Sequence, residues 1–447
     1  MRSQGMRRVA VASLLGIGIV YSAVHFGRSG VWYPLAYPNI GQIHEELPPV
    51  TAYIAHGRPV RIVDNPRQYG PTFMFVLEPL IRLCGSNQPL LERWLYGIQI
   101  LMMGLGFVCC LLSLRLWLER TYGSDVSRAR MGWLALFLGL LWLNFSPLLY
   151  MLAVKNVEMW EMGLLSAALY AYLTERRFLA SLCIAAASLA KMLPLFFLFY
   201  FLLKDRRMLA WCAVSLSLIL AVSHWRYGPE FGFQYLPFML KASLGSTWGF
   251  AYHENVSLKG MIGKIFGGWQ VGSNYHTQIP ADRLALALAV ASFAQFVVIA
   301  WLVKLLEPWR HRPGLAGWRY ARVPWEWALM TTMMLILSPQ AAFEYAVLAL
   351  PAFSVVVGVL VADVALRRRP EVWVWFGAAV FLVANILPRQ VINRMLPVDL
   401  LLHWTGNTRL KGSEGYQYFG FPLLGLACLV AALWLLRHRW TARSQAR

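Results

Sequence analysis

Residues 94–117 read WLYGIQILMMGLGFVCCLLSLRLW, a run of 24 positions whose one charged side chain is Arg115. At a rise of 1.5 Å per residue such a helix is about 36 Å long, enough to cross the ~30 Å hydrocarbon core of a bilayer. Further apolar runs follow the same pattern at 9–26, 131–153, 157–174, 208–224, 284–303, 324–340, 342–366, 371–388 and 417–436. Two shorter runs, 178–190 and 192–203, reach only ~20 Å each as helices and are expected to form a hairpin. Residues 71–84, opened by Pro71, are too short to span and are expected as an interfacial or re-entrant helix. Counting the hairpin as two crossings gives about 12 transmembrane helices, with a range of 10–13.

Composition agrees. Of the 447 residues, 58% are hydrophobic and 14% charged, with a mean hydropathy of +0.51. Soluble domains carry roughly a quarter charged residues, so the chain reads as an all-α polytopic membrane protein forming a single integral domain over 1–447. The first apolar run lacks the small-residue cleavage site of a signal peptide and is read as an anchor. The six cysteines have neither metal-ligand nor redox spacing.

The formal net charge of +20 would point to nucleic acid in a soluble protein. Here the arginines sit in short clusters between apolar runs, as topology signals do, and no nucleic-acid partner is expected. With twelve crossings all seven basic clusters fall on one side. That side holds 24 Lys+Arg against 8 Asp+Glu, net +16, and the other 17 against 13, net +4. The positive-inside rule puts both termini in the cytoplasm, and a bacterial inner membrane is the expected location. The long loops, 27–93, 225–283 and 389–416, are then all on the outer face and are expected to carry short amphipathic helices.

Candidate chemistry collects in those loops and at the span boundaries. The first outer loop holds His44, Glu45 and Glu46, then Tyr69-Gly70-Pro71. Paired carboxylates beside a histidine suit a general base with its orienting partner; the plain alternative is a solvated acidic pair. In Lys155-Asn156-Val157-Glu158-Met159-Trp160-Glu161 the two acids are one turn apart and share a helix face, directed either at the interface or at a polar cavity. Lys191 stands alone between the two short runs, where an ammonium is costly unless an anion meets it, and a phosphate would serve. The snorkelling alternative is an interfacial lysine. The second outer loop holds Tyr252-His253-Glu254-Asn255-Val256-Ser257-Leu258-Lys259-Gly260, and Ser338-Pro339-Gln340 leads to Glu344, an acid entering an apolar helix. P-loop, dinucleotide-fold and His-Glu-x-x-His signatures are all missing from the sequence, so a membrane-borne donor is expected rather than a nucleotide sugar.

Asn255-x-Ser257-Leu258-x-Gly260 in a long outer loop resembles the signature of the polyprenyl-phosphate-mannose-dependent mannosyltransferases, glycosyltransferase family 87 of the GT-C superfamily. The order of the other pieces is similar along nearly the whole chain: a first-loop acid, Tyr53 and Gly57, Tyr69-x-Pro71, Lys191-x-x-Pro194 and Ser338-Pro339. The resemblance implies a GT-C-like bundle and an inverting transfer of a hexose, mannose favoured, from a polyprenyl-phosphate carrier to an outer-face lipid or glycan acceptor. It implies Glu45 or Glu46 as general base, where the family has Asp. Lys191, His253, Asn255, Lys259 and Gln340 would face the donor phosphate and sugar. His44, Tyr69, Glu158 and Glu344 would line the acceptor side or the cavity. The family's Trp and His after Ser-Pro are replaced here by Gln340, Phe343, Glu344 and Tyr345, and its Gly-Gln-x-Asn by Lys155-Asn156-Val157-Glu158. Another hexosyl or an arabinofuranosyl donor is therefore compatible. No cofactor is expected, and a divalent cation is compatible but not indicated. The competing readings are a lipid-linked sugar flippase or transporter, which should string polar groups through several helix centres, and a ligase-type transferase with a lipid-diphosphate donor.

Overall fold

The computed structural model describes residues 2–36, 70–85, 87–122, 128–245, 255–269, 279–306, 316–362, 372–387, 389–396, 405 and 412–445. Among these the ordered elements are all helical. The long or site-forming helices are α1 (Arg2–Phe26), α2 (Pro71–Cys84), α3 (Gln88–Tyr122), α4 (Arg128–Leu143), α5 (Ser146–Val154), α6 (Glu158–Leu173), α7 (Arg177–Ala190), α8 (Phe196–Lys204) and α9 (Arg206–Tyr227). They continue with α10 (Tyr235–Gly245), α11 (Leu258–Phe266), α12 (Ala281–Leu306), α13 (Ala316–Leu337), α14 (Leu350–Ala362), α15 (Val372–Ile386), α16 (Arg389–Met395), α17 (Gly412–Tyr418) and α18 (Phe421–Gln445).

Four described segments are long and apolar enough to cross a membrane: α3, α9, α12 and the run Phe343–Leu360. The bent pair α4–α5 makes a fifth, and α7, α8, α15 and the first part of α18 are shorter apolar helices. Large apolar side chains face outward on α12 and α15, among them Phe293, Phe296 and Trp373, as lipid contact requires. The chain is an integral membrane protein.

The run expected as one span at 131–153 is instead bent by 56°. Phe145 is extended and Pro147 opens α5, where its missing N–H costs nothing but cannot bond back to the preceding turn. A break inside lipid must satisfy its own polar groups. The Asn144 side-chain N–H groups do so in part, donating to Leu140 O at 2.7 Å and to Ser22 Oγ at 2.6 Å, while its buried Oδ1 has no partner among the described residues. Likewise the run from 342 begins as a 3-10 helix, Phe343–Ala349, before Pro351 sits in the first turn of α14.

The short runs form the expected hairpin. The Tyr172 hydroxyl, at the end of α6, donates to Asp205 at 3.1 Å, so the chain leaves along α7 and returns along α8 to the same end. Phe178 packs edge-on against Trp211 and Ser181 hydrogen-bonds Ser215 at 2.8 Å, so α7 and α9 run side by side in one direction. That base is clamped by Lys204, which donates to Glu326 of α13 at 3.0 Å and to Leu306 O, while the Tyr200 hydroxyl donates to Glu326 at 2.9 Å. Trp327 packs its ring, tilted by 43°, with its centroid 4.4 Å from that of Phe197 and fixes α13 on the hairpin. The hairpin tip points to the opposite end of the bundle.

Candidate functional site: a lysine and two acids at the hairpin tip

At that tip three chain segments converge. Lys191 ends α7 in an extended conformation that α-helix cannot continue, and Pro194 enforces the break before α8. Glu158 and Glu161 open α6, where carboxylates favour the positive end of the helix dipole. The Lys191 ammonium donates to Glu158 Oε1 and to the hydroxyl of Tyr345 on the 3-10 helix. Glu158 is fully buried, whereas the Lys191 side chain is 24% exposed. Glu161 is also fully buried. Among the described residues, neither its carboxylate oxygens nor Glu158 Oε2 has a hydrogen-bond partner, and the same holds for the Trp160 indole N–H and the Ser188 hydroxyl.

The chain between α1 and α2 returns to the described residues beside this cluster. The Gly70 N–H donates to Ala190 O at 3.0 Å, one residue from Lys191. A side chain at 70 would run into Leu189 O and the Tyr235 hydroxyl, so this close approach requires glycine.

The second convergence is built by the Asn-x-Ser-x-x-Gly stretch. Asn255 is fully buried, and its amide is spent on backbone: Nδ2 donates to Pro339 O, while Oδ1 accepts from the Ser257 and Ala341 N–H groups, all at 3.0 Å. Ser257 caps α11 by accepting from Gly260 N at 3.1 Å. A Cβ at Gly260 would stand 2.5 Å from Asn255 Cγ, so only glycine lets the cap close over the asparagine. Lys264, also buried, donates to Asn255 O at 2.9 Å. Burial pushes the Lys259 ammonium on this short helix below its ordinary pKa. Gln340 is partly exposed, and its N–H donates to Ser338 Oγ at 3.2 Å.

One segment, residues 338–345, therefore touches both groups: its start is pinned by Asn255 and its end supplies Tyr345 to Lys191. Glu344 lies on the same 3-10 helix and is buried. Of the residues expected at the site, Lys191 and Glu158 meet directly, and Asn255 binds the backbone on either side of Gln340. Lys259 lies on the helix that Asn255 and Ser257 anchor. His44, Glu45, Glu46, Tyr69 and His253 lie outside the described residues. Tyr345 and Lys264 were not singled out by sequence. Tyr345 stands among the residues that depart from the family pattern, and Lys264 is a lone cation in a short apolar helix; both signals are weak until the partners are known.

A polar centre at one end of an apolar helical bundle, with its acids and lysine drawn from separate helices, defines a membrane-embedded protein built around a buried polar site. The model of Glycosyltransferase family 87 matches residues 68–339, more than half of the chain. The chain belongs to that family and is a glycosyltransferase. No curated protein matches it.

Proposed function

We propose that the protein transfers a hexose, mannose favoured, from a polyprenyl-phosphate carrier to a lipid or glycan acceptor on the outer face of the membrane. The observation that carries this reading is the Gly70–Ala190 hydrogen bond. It ties the end of the first outer loop to the tip that bears Lys191, so a base on that loop and a phosphate at the lysine would share one end of the bundle.

Glu45 or Glu46 takes the proton from the acceptor hydroxyl as its oxygen attacks the anomeric carbon. The bond from that carbon to the phosphate oxygen breaks on the opposite face, the configuration inverts, and polyprenyl phosphate leaves with the electron pair. A phosphate leaving group needs little protonation; it needs positive charge. Lys191 supplies it at the tip. Lys259 supplies a second cation, and a bound anion would offset the cost of its burial. Asn255 acts through the backbone it holds rather than on substrate, keeping residues 338–341 and α11 in register. His253, Gln340, His44 and Tyr69 border the same end in this reading, with Glu158 and Glu344 behind them. The basic clusters would keep both termini cytoplasmic, which sets this end toward the outer face.

The test is to change Glu45 and Glu46 to Gln together in purified protein. Loss of transfer with an unchanged unfolding profile is expected, and transfer at the wild-type rate would remove both residues as the base.

A further inference from the structure

Glu158 and Lys191 face each other across antiparallel helices α6 and α7. One turn further into the bundle on the same stripe stand Glu161 on α6 and Ser188 on α7. Both are fully buried, and neither the two Glu161 oxygens nor Ser188 Oγ finds a hydrogen-bond partner among the described residues. A buried carboxylate without partners is costly, and the usual reason a fold retains one is a ligand or water that completes it. The chemistry of the missing partner can be read from the neighbours. Glu161 offers two acceptor oxygens and Ser188 a hydroxyl that donates or accepts. An anion seated at Glu161 itself would face two carboxylates, so the place left for a phosphate is the partly exposed Lys191, one turn nearer the tip. A neutral polyol, which presents vicinal O–H donors to the two oxygens of one carboxylate and an acceptor to a serine hydroxyl, fits without changing the charge.

We infer that Glu161, with Ser188 beside it and Glu158 one turn nearer the tip, forms the subsite that binds hydroxyls of the hexose being transferred. This rests on the reading of Lys191 as the phosphate contact. A sugar joined to a phosphate at Lys191 has its ring within about one helical turn of that ammonium, which is where Glu161 lies. Glu161 is then a specificity-determining residue, and the acid pair reads the sugar.

The probe is a short-chain alkyl phosphate mannose with its 2-, 3-, 4- and 6-deoxy analogues, and the same alkyl phosphate without sugar. Each is titrated against the full-length protein in nanodiscs, with lipid-donor transfer assayed in parallel. In the wild type at least one deoxy analogue should bind about tenfold or more weaker than the parent, the size of one lost hydrogen bond to a charged group. In Glu161→Leu that penalty should shrink below about threefold, Glu161→Gln should restore part of it, and the sugar-free phosphate should bind all three proteins alike. Ser188→Ala serves as a second variant should Glu161→Leu fail to fold. A flat deoxy series in the wild type, as a site filled by water alone would give, or equal penalties in wild type and variants, overturns the subsite. A position-specific penalty that Glu161→Leu erases, seen without transfer from the lipid donor, would keep the subsite and overturn the proposed reaction.

Discussion

The Lys191 ammonium, at the end of α7, hydrogen-bonds the fully buried carboxylate of Glu158, at the start of α6. Removing either partner alone strands the other. Lys191→Met should destabilise the protein by about 3 kcal/mol, and Glu158→Gln in the same background should recover a large part of that loss. Thermal unfolding of the two single variants and the double variant in one detergent checks this; additive losses would mean the pair is not coupled.

Asn255 holds three backbone groups on two segments. Asn255→Ala should cost about 2–4 kcal/mol and raise hydrogen exchange at residues 338–341. Gly260→Ala should resemble it, because the added methyl meets the asparagine. Exchange confined to α11, with 338–341 still protected, would contradict the pinning.

At the opposite end, Glu326 accepts from Lys204 and Tyr200, and Arg322 lies 3.7 Å away. Glu326→Gln should lower stability by about 3–5 kcal/mol while leaving KM for the lipid donor within about threefold of wild type. A large KM change would place this clamp in the substrate path.

Glu78 on α2 accepts from Arg226 at 2.6 Å, Tyr227 at 2.8 Å and Arg82 at 2.8 Å. Burial works to raise its pKa, but these hydrogen bonds outweigh it and hold the carboxyl below the ordinary glutamate range. A depressed folded-state pKa stabilises the protein above the ordinary value, and that gain is lost as pH falls through the folded value. The stability difference between wild type and Glu78→Gln should therefore be full near neutral pH and shrink as the medium is acidified below the ordinary glutamate range. A pH-independent difference would exclude ionisation of Glu78 as its source.

The helical class was legible because apolar run length reports directly on bilayer thickness, and Pro71 and Pro194 punctuate where α2 begins and the hairpin turns. The bend between α4 and α5 was less legible. A proline two residues into a new helix leaves hydropathy unchanged, and the Ser22 hydroxyl that completes the break comes from a helix far away in sequence. At the site, the isolation of Lys191 and the one-turn spacing of Glu158 and Glu161 could be read from the chain alone. Which carboxylate takes the lysine, and that Tyr345 joins them, depends on contacts across 33 and 154 residues of sequence, which no local pattern encodes. Asn255 shows the converse: a motif that reads like a ligand contact spends its amide on the protein's own backbone.

The most direct test of the central claim is donor choice by the purified protein in nanodiscs, offered radiolabelled polyprenyl-phosphate mannose or a nucleotide-linked mannose with a membrane-lipid extract as acceptor. Transfer from the polyprenyl carrier alone, abolished in the Glu45→Gln, Glu46→Gln double variant and strongly reduced in Lys191→Met, is the predicted result. Transfer from the nucleotide sugar, or undiminished transfer by both variants, would contradict it.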